Sequence, residues 1–156
     1  MSMKSVEVLI IGAGSGGLAA RREVAKQTDN YLVIDGGPLG TTCARVGCMP
    51  SKVLIQVAED FYRKNKFAEE GILGGEALHL DTKQVMNHVR KLRDRFVRGV
   101  TGSMESWQDE KLLRGYAQFV DDNTVEVNGE KINAKKIILA TGTKPKIPKI
   151  FIGYEK

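Results

Sequence analysis

The sequence is poor in cysteine, histidine and aromatic residues, and it has no long apolar run. Among its 156 residues there are two cysteines, two histidines and one tryptophan, and aromatic side chains make up 6%. Two cysteines cannot form a disulfide framework, and His79 and His88 show no metal-ligand spacing. No run approaches the ~18 consecutive apolar residues of a membrane-spanning helix. We therefore expect no disulfide-rich fold, no metal site and no membrane partner.

The amino terminus also lacks the pattern of a secretion signal. It reads Met-Ser-Met-Lys-Ser-Val-Glu-Val, without an apolar stretch that ends in a small-residue cleavage site. The 42% hydrophobic and 28% charged residues are ordinary for a globular protein. We expect a cytoplasmic chain about one domain long, with enough residues to bury a core.

The chain is basic, with 24 Lys and Arg residues against 19 Asp and Glu residues and a net charge of +5. Much of the excess lies in residues 90–95, Arg-Lys-Leu-Arg-Asp-Arg, within a segment whose apolar residues recur at helical spacing. That pattern is typical of the solvated face of an amphipathic helix. A phosphate-bearing ligand or a second subunit would also accommodate positive charge, so we expect no nucleic acid partner.

The first part of the sequence predicts a βαβ unit. Val6–Ile11 and Tyr31–Ile34 are short, β-branched apolar runs, which indicate strands that are buried on both faces. Leu18–Lys26 between them consists of good helix formers. Because such crossovers join parallel strands, we expect the two strands to be adjacent and parallel.

The rest of the chain predicts further helices and a β-meander. Gly36–Gly47 is rich in glycine and predicts an irregular stretch. Ser51–Lys66 predicts a helix that is capped by Ser51, and Asp81–Trp107 predicts a long amphipathic helix. The hydrophobic period then changes to two, which predicts three antiparallel strands, the last of which joins the parallel sheet. These strands are Gly115–Val120, Thr124–Val127 and Lys131–Leu139.

A glycine loop follows the first strand. Residues 12–17 read Gly-Ala-Gly-Ser-Gly-Gly and match G-x-G-x-x-G between a strand and a helix, with an acid, Asp35, ending the second strand. Gly12 permits the tight turn, Gly14 lets a diphosphate approach, and Gly17 allows close helix–strand packing. The helix amino terminus favours negative charge, and Asp35 would accept hydrogen bonds from an adenosine ribose. We interpret the loop as a dinucleotide site; the alternative is a glycine turn without a ligand.

The two cysteines lie five residues apart after the second strand. On a helical turn, Cys43 and Cys48 can reach the roughly 4–7 Å Cα separation that a disulfide tolerates. Helix amino termini and cations such as Arg45 and Lys52 favour the thiolate, which is the nucleophile. The two cysteines could be a redox pair, half of a metal site or two small hydrophobic residues. A metal site would need two further ligands, which the sequence does not offer at a suitable spacing.

These motifs are similar to those of the flavoprotein disulfide reductases, the family of dihydrolipoamide dehydrogenase, mercuric reductase and glutathione reductase. In that family Cys-x-x-x-Gly-Cys-x-Pro-[Ser/Lys]-Lys follows the FAD-type βαβ unit, and Cys43–Lys52 has this pattern. Gly115–Phe119 resembles a strand whose third residue, here Ala117, meets the FAD adenine. Ala140–Pro145 resembles the strand end that closes over FAD. Together the motifs span Val6–Pro145.

The resemblance implies an α/β fold, a three-layer Rossmann-type FAD-binding domain in which a parallel sheet carries an antiparallel three-stranded meander. Residues 1–145 would form the amino-terminal segment of this domain with the redox disulfide, and residues 146–156 would begin a linker to an NAD-binding domain. The cofactor would be FAD, and NAD would be needed only by the full-length enzyme. The family's NAD-binding domain and its dimerisation domain, which carries a His–Glu base, have no counterpart in these 156 residues.

The full-length enzyme implied by the resemblance is a homodimeric, dihydrolipoamide dehydrogenase-like oxidoreductase. It would pass electrons between NAD(H) and a small-molecule or lipoyl-type dithiol. These residues alone would be inactive, because turnover needs a nicotinamide site and a base. The alternatives are a mercuric reductase-like enzyme, another family member, or a non-catalytic FAD-binding fragment.

The resemblance also implies roles for single residues. Cys43 would be the interchange thiol that attacks the substrate, and Cys48 would be the charge-transfer thiolate against the flavin ring. Lys52 would lie at the reactive edge of the flavin; the alternative is a solvated helix lysine. The residues expected to hold FAD are Gly12, Gly14, Ser15, Gly16, Gly17, Asp35, Gly36, Thr41, Thr42, Cys43, Cys48, Lys52, Ala117, Thr141 and Gly142.

Several positions depart from the common residues of the family. Asp35 replaces a longer glutamate, so its ribose contact would be looser, and Thr41 replaces a frequent glycine. Ala44-Arg45 replaces Leu-Asn and would put a charge beside the disulfide, which weakens the case for lipoamide as the substrate. Ser51, where glutathione reductases usually carry lysine, favours the lipoamide dehydrogenase or mercuric reductase branch.

Overall fold

A computed structural model describes residues 3–151 and 153 as an α/β fold built on one mixed sheet. Its strands are β1 Lys4–Ile11, β2 Tyr31–Asp35, β3 Leu112–Arg114, β4 Gln118–Phe119, β5 Thr124–Val127 and β6 Glu130–Leu139. Its α-helices are α1 Ser15–Val24, α2 Thr42–Val46, α3 Cys48–Tyr62, α4 Thr82–Gly102 and α5 Gln108–Lys111. The strand order across the sheet is β3-β2-β1-β6-β5-β4.

The predicted βαβ unit is confirmed. β1 pairs in parallel with β2, from Val8 opposite Tyr31 to Ile11 opposite Ile34. On its other side β1 pairs in parallel with β6, where Ile11 lies opposite Leu139. The carboxyl ends of three neighbouring strands therefore meet at one edge of the sheet, which is where ligands bind in open α/β sheets.

The predicted meander is also confirmed, although its first strand is shorter than expected. β4, β5 and β6 pair antiparallel, but β4 covers only two residues of the predicted Gly115–Val120. Asn128 and Gly129 turn between β5 and β6 with φ of 53° and 80°, the pair of positive angles that a two-residue hairpin turn requires. The sequence did not predict β3, which extends the parallel sheet beyond β2.

Two apolar clusters cover the two faces of the sheet and produce the three layers. Side chains alternate between faces along a strand, so Leu32 and Ile34 of β2 enter one cluster while Tyr31 and Val33 enter the other. The first cluster also contains the meander residues Val125, Val127, Ile132 and Ala134. The second contains Met104 and Trp107, with Leu18, Ala20 and Val24 of α1 packed against it. The meander thus packs on one side of the parallel strands, and α1 packs on the other side with the turns that follow α4.

The helix around the second cysteine begins and ends earlier than predicted. α3 starts at Cys48, so the prediction that Ser51 caps it is wrong: the Ser51 hydroxyl donates to the Cys48 carbonyl at 3.0 Å, inside the first turn. Pro50 is compatible with this position because the first N–H groups of a helix have no partner within the helix. The α-helix ends at Tyr62 and a 3₁₀ turn takes the chain on to Lys66.

Three further boundaries differ from the expectations. α1 begins at Ser15 rather than Leu18, because the glycine loop runs directly into the helix, and it ends at Val24. The stretch expected to be irregular contains α2. α4 ends at Gly102, with Asp81 as its amino-terminal cap, and the turns after it still carry Met104 and Trp107 into the core. Among the described residues, no helix is both long and apolar enough to cross a membrane.

Candidate functional site

Two glycines of the loop are required by packing. Gly12 has φ of +111°, and a Cβ there would lie 2.2 Å from the Ala140 carbonyl oxygen at the end of β6. A Cβ on Gly17 would lie 1.7 Å from the Gly12 carbonyl oxygen. Contacts this short with backbone atoms leave room only for glycine. They hold the start of α1 against the ends of β1 and β6.

The middle glycine is different, because the space beside it is open. Gly14 is the amino-terminal cap residue of α1 and makes no side-chain cap hydrogen bond. A Cβ at Gly14 would meet nothing within 4 Å. Ser15, Gly16 and Gly17 form the first turn, whose N–H groups have no partner within the helix. An open backbone surface with free N–H groups at a positive helix end fits a diphosphate.

Asp35 closes the far side of the loop. Its Oδ2 accepts from the Ala13 N–H at 2.6 Å and its Oδ1 from the Gly37 N–H at 2.7 Å. The side chain is 18% exposed, and the guanidinium of Arg114 lies 3.7 Å from Oδ1. Two bonds use only half of the roughly four lone-pair sites of a carboxylate, so acceptor capacity remains for a ribose. Arg114 has no signal of its own in the sequence, because nothing there predicts that β3 pairs with β2.

The motif around Ala117 lies against the turn that follows Asp35. The ring of Tyr116 covers Gly36, where an added Cβ would come within 2.7 Å of the ring. Tyr116 itself is 77% exposed, and Ala117 is half-buried against the first apolar cluster. The end of β6 contacts the same edge, because the Ala140 N–H donates to the Ile11 carbonyl at 2.8 Å. Thr141 and Gly142 follow as exposed residues, and Gly142 has φ of 70°.

Thr41 and Thr42 begin the segment that carries the cysteines. Thr41 is buried and caps α2: its hydroxyl accepts from the Ala44 N–H at 3.2 Å. Its φ of 61° and ψ of 149° lie in a region that is almost confined to glycine. Threonine at this position is therefore strained. Thr42, the first residue of α2, is exposed.

The structure brings the two cysteines together at the junction of α2 and α3. Both are unbridged thiols, Cys43 half-buried and Cys48 exposed at the start of α3. The hydrogen bond from Cys43 lowers the pKa of the Cys48 thiol, and the charge of Lys52 lowers it further. The same hydrogen bond, together with burial and the charge of Cys48, raises the pKa of Cys43. The pair is therefore asymmetric: Cys48 loses its proton more readily than Cys43.

Arg45 does not have the role expected from its place between the cysteines. Its guanidinium donates to the Pro38 carbonyl at 3.4 Å and not to either thiol. Arg45 is two residues from Cys43, so the two side chains point about 200° apart around the helix. Lys52, one turn along α3 from Cys48, is the cation that acts on the pair.

The glycine loop and the cysteine pair belong to different parts of the domain. α2 and α3 pack with α4, whereas α1 packs on β1, β2 and β6. Among the described residues, no hydrogen bond joins the cysteine helices to the glycine loop. The Gly36–Gly40 connection leads from the carboxyl end of β2 into α2. No group of three or more metal-ligating side chains was found in the described part of the chain.

Comparison with known proteins identifies the family. A sequence model of the pyridine nucleotide-disulphide oxidoreductases matches residues 6–155. The chain belongs to this family. Its members are oxidoreductases, and the chain carries the glycine loop and cysteine pair described above.

Two curated members of the family are similar to the chain over most of its length. It is 35% identical over 143 residues to a dihydrolipoyl dehydrogenase from Geobacillus stearothermophilus, which covers 89% of this chain and 30% of that protein. It is 32% identical over 152 residues to a mercuric reductase from Lysinibacillus sphaericus, which covers 96% of this chain and 27% of that protein.

The fold is shared with a solved structure, the HOCl-induced flavoprotein disulfide reductase RclA from Escherichia coli. The TM-score is 0.69 at 20% identity, over 92% of this chain and 29% of that chain. The chain thus spans 27–30% of the length of these three proteins.

Proposed function

We propose that this chain is the FAD-binding and dithiol segment of a flavoprotein disulfide reductase of the dihydrolipoamide dehydrogenase kind. The observation that carries the proposal is the placement of two unbridged thiols, Cys43 on α2 and Cys48 at the start of α3, on either side of Gly47. The opposite shifts of their pKa values suit disulfide exchange, in which a thiol must ionise to act as the nucleophile.

FAD fits the residues at the carboxyl edge of the sheet. Gly14 and the first turn of α1 would hold the diphosphate, and Asp35 would accept hydrogen bonds from the ribose. Ala117 and Gly36 would lie along the adenosine, while Thr42, Thr141 and Gly142 would follow the flavin half. When bound, FAD supplies two-electron exchange between a nicotinamide and a dithiol.

The cysteines would carry out disulfide exchange. Cys43, once the base inferred for the full-length enzyme has taken its proton, attacks one sulfur of a substrate disulfide and displaces the other sulfur as a thiolate, which takes up a proton. Cys48 then attacks the sulfur of Cys43, forms the Cys43–Cys48 disulfide and releases the second substrate thiol. The cysteine pair gives up two electrons and the substrate gains them. Lys52 would stabilise the thiolate of Cys48 between the two steps.

The nicotinamide site, the oligomeric state and the substrate belong to the full-length protein that we infer. It would add an NAD-binding domain, to which residues 146–156 lead, and a dimerisation domain that completes a cytoplasmic homodimer. A lipoyl-type dithiol is the favoured substrate, and the 35% identity with a dihydrolipoyl dehydrogenase supports it. The 32% identity with a mercuric reductase makes a mercuric reductase-like enzyme the second candidate, since two thiolates also suit soft cations.

Binding of FAD to the purified chain tests the proposal. We expect flavin to bind at up to one equivalent in equilibrium dialysis, with weak affinity. We expect no NADH-dependent reduction of lipoamide, because the residues present offer no nicotinamide site and no base. A well-folded chain that binds no flavin at any concentration would contradict the proposed site. Turnover at a normal flavoenzyme rate would contradict the inactivity of the chain.

A further inference from the structure

The end of β3 forms a small network around the proposed ribose acid. Arg114 donates through Nη2 to the Gly37 carbonyl, and its Nη1 lies 3.7 Å from Asp35 Oδ1. The Gly115 N–H donates to the Asp35 carbonyl at 3.2 Å. Asn128, in the turn between β5 and β6, donates from its amide to the Arg114 carbonyl at 2.8 Å. Residues 114–115 therefore hold Asp35 and Gly37 directly, and the Asn128 turn holds Arg114.

The guanidinium acts on both ends of the Asp35–Gly37 turn. The N–H of Gly37 is bound by Asp35 and its carbonyl by Arg114, so the peptide between β2 and the cysteine segment has a fixed orientation. Arg114 also places a positive charge beside a mostly buried carboxylate that would lie near a diphosphate. The short side chain of Asp35 has few rotamers, so these neighbours fix the direction of its carboxylate.

We propose that Arg114 is a positioning residue for Asp35, and that it is needed for the site to recognise the free hydroxyls of the adenosine ribose. This inference rests on the proposed dinucleotide site. With Arg114 present, the carboxylate of Asp35 would be held so that its remaining lone pairs could accept hydrogen bonds from the ribose hydroxyls. Without Arg114, Gly37 and Asp35 lose the guanidinium that contacts both of them, and the carboxylate of Asp35 accepts hydrogen bonds from the ribose hydroxyls less well.

Titration calorimetry with ADP and 2′-deoxy-ADP tests the role of Arg114. A hydrogen bond from a hydroxyl to a carboxylate contributes about tenfold in affinity, so we expect the unmodified chain to prefer ADP by about tenfold. Arg114→Ala should reduce this preference to about twofold or less. Arg114→Lys, which keeps the charge, should recover part of it. A purely structural role would weaken both nucleotides equally and leave the preference unchanged.

The matched control is Arg93→Ala, because Arg93 is also a partly exposed arginine paired with an aspartate, Asp94, but lies on α4. It should keep the full preference for ADP. If the alanine variant of Arg114 does not fold, Arg114→Met keeps the aliphatic part of the side chain and still removes the guanidinium, so it tests the same loss of preference for ADP. A preference that is unchanged in the folded Arg114 variants would overturn the proposal and leave the FAD site intact. Failure of the unmodified chain to bind either nucleotide or FAD would overturn both.

Discussion

The glycine loop predicts that alanine will have opposite effects at two positions only three residues apart. At Gly17 the added methyl would lie 1.7 Å from the Gly12 carbonyl oxygen and 2.8 Å from its carbon. Backbone atoms cannot yield as a flexible side chain can, so α1 would have to move away from β1. At Gly14 the methyl meets nothing within 4 Å and φ is −77°, which any residue adopts. Only the space expected for the diphosphate is lost.

The two substitutions should therefore separate stability from binding. Overpacking costs typically 1–3 kcal/mol, and the backbone clash puts Gly17→Ala at about 3 kcal/mol. For a domain of this size that corresponds to a fall in melting temperature of roughly 6–12 °C. Gly14→Ala should leave the free energy of unfolding unchanged or raise it by about 0.4–1 kcal/mol, since alanine restricts the unfolded chain. Its FAD affinity should fall by at least about tenfold, because one methyl displaces the diphosphate.

Circular dichroism melts and flavin fluorescence titrations measure the two effects. Gly99→Ala is the matched control: a Cβ there meets nothing within 4 Å, and Gly99 lies inside α4, away from the site. It should raise stability by about 0.8–1 kcal/mol and leave FAD affinity unchanged. If Gly14→Ala bound FAD as tightly as the unmodified chain, the open space beside Gly14 would not be the diphosphate site.

Three other predictions concern the cysteine segment and α4. Iodoacetamide should alkylate Cys48 at lower pH than Cys43, because the pKa of Cys48 is lowered and its thiolate persists as the pH falls. Cys43→Ala should raise the pKa of Cys48 more than Lys52→Met does, since the hydrogen bond from Cys43 is the larger cause of the shift. Thr41→Gly should raise the free energy of unfolding in urea by about 1 kcal/mol, because the strain relieved exceeds the few tenths lost with the cap. Asp81→Ala should lower it by about 1 kcal/mol, since the Gln84 N–H loses its cap.

The sequence predicted the elements whose signal is local. The runs at Val6 and Tyr31 are apolar and β-branched along their whole length, and the Asn128-Gly129 turn has its own signature, so β1, β2 and the meander could be found. β3 could not, because Leu112–Arg114 is too short to show a period. Its place in the sheet depends on pairing with β2, which lies about eighty residues earlier in the chain.

The same difference separates the predicted and missed parts of the site. The glycine loop and the cysteine pair are contiguous motifs, so their residues could be named from spacing alone. Arg114 reaches Gly37 across 77 residues, and only the fold brings the two together. The direction of Arg45 could not be derived either, because it depends on where the Pro38 carbonyl lies. The predicted starts of α1 and α3 differ from the observed ones because glycine or proline lies in the first turn of each helix. The local sequence there does not determine where the helix begins, and tertiary contacts do.

The most direct test of a working flavin–dithiol site is the absorption spectrum of the chain saturated with FAD and reduced by a dithiol. A long-wavelength charge-transfer band should appear in the unmodified chain and in Cys43→Ser, whose hydroxyl still donates to the Cys48 thiolate. The band should be absent in Cys48→Ser, which has no thiolate at the start of α3. Bound flavin without any such band, or a band that survives in Cys48→Ser and disappears in Cys43→Ser, would contradict the assignment of the two thiols.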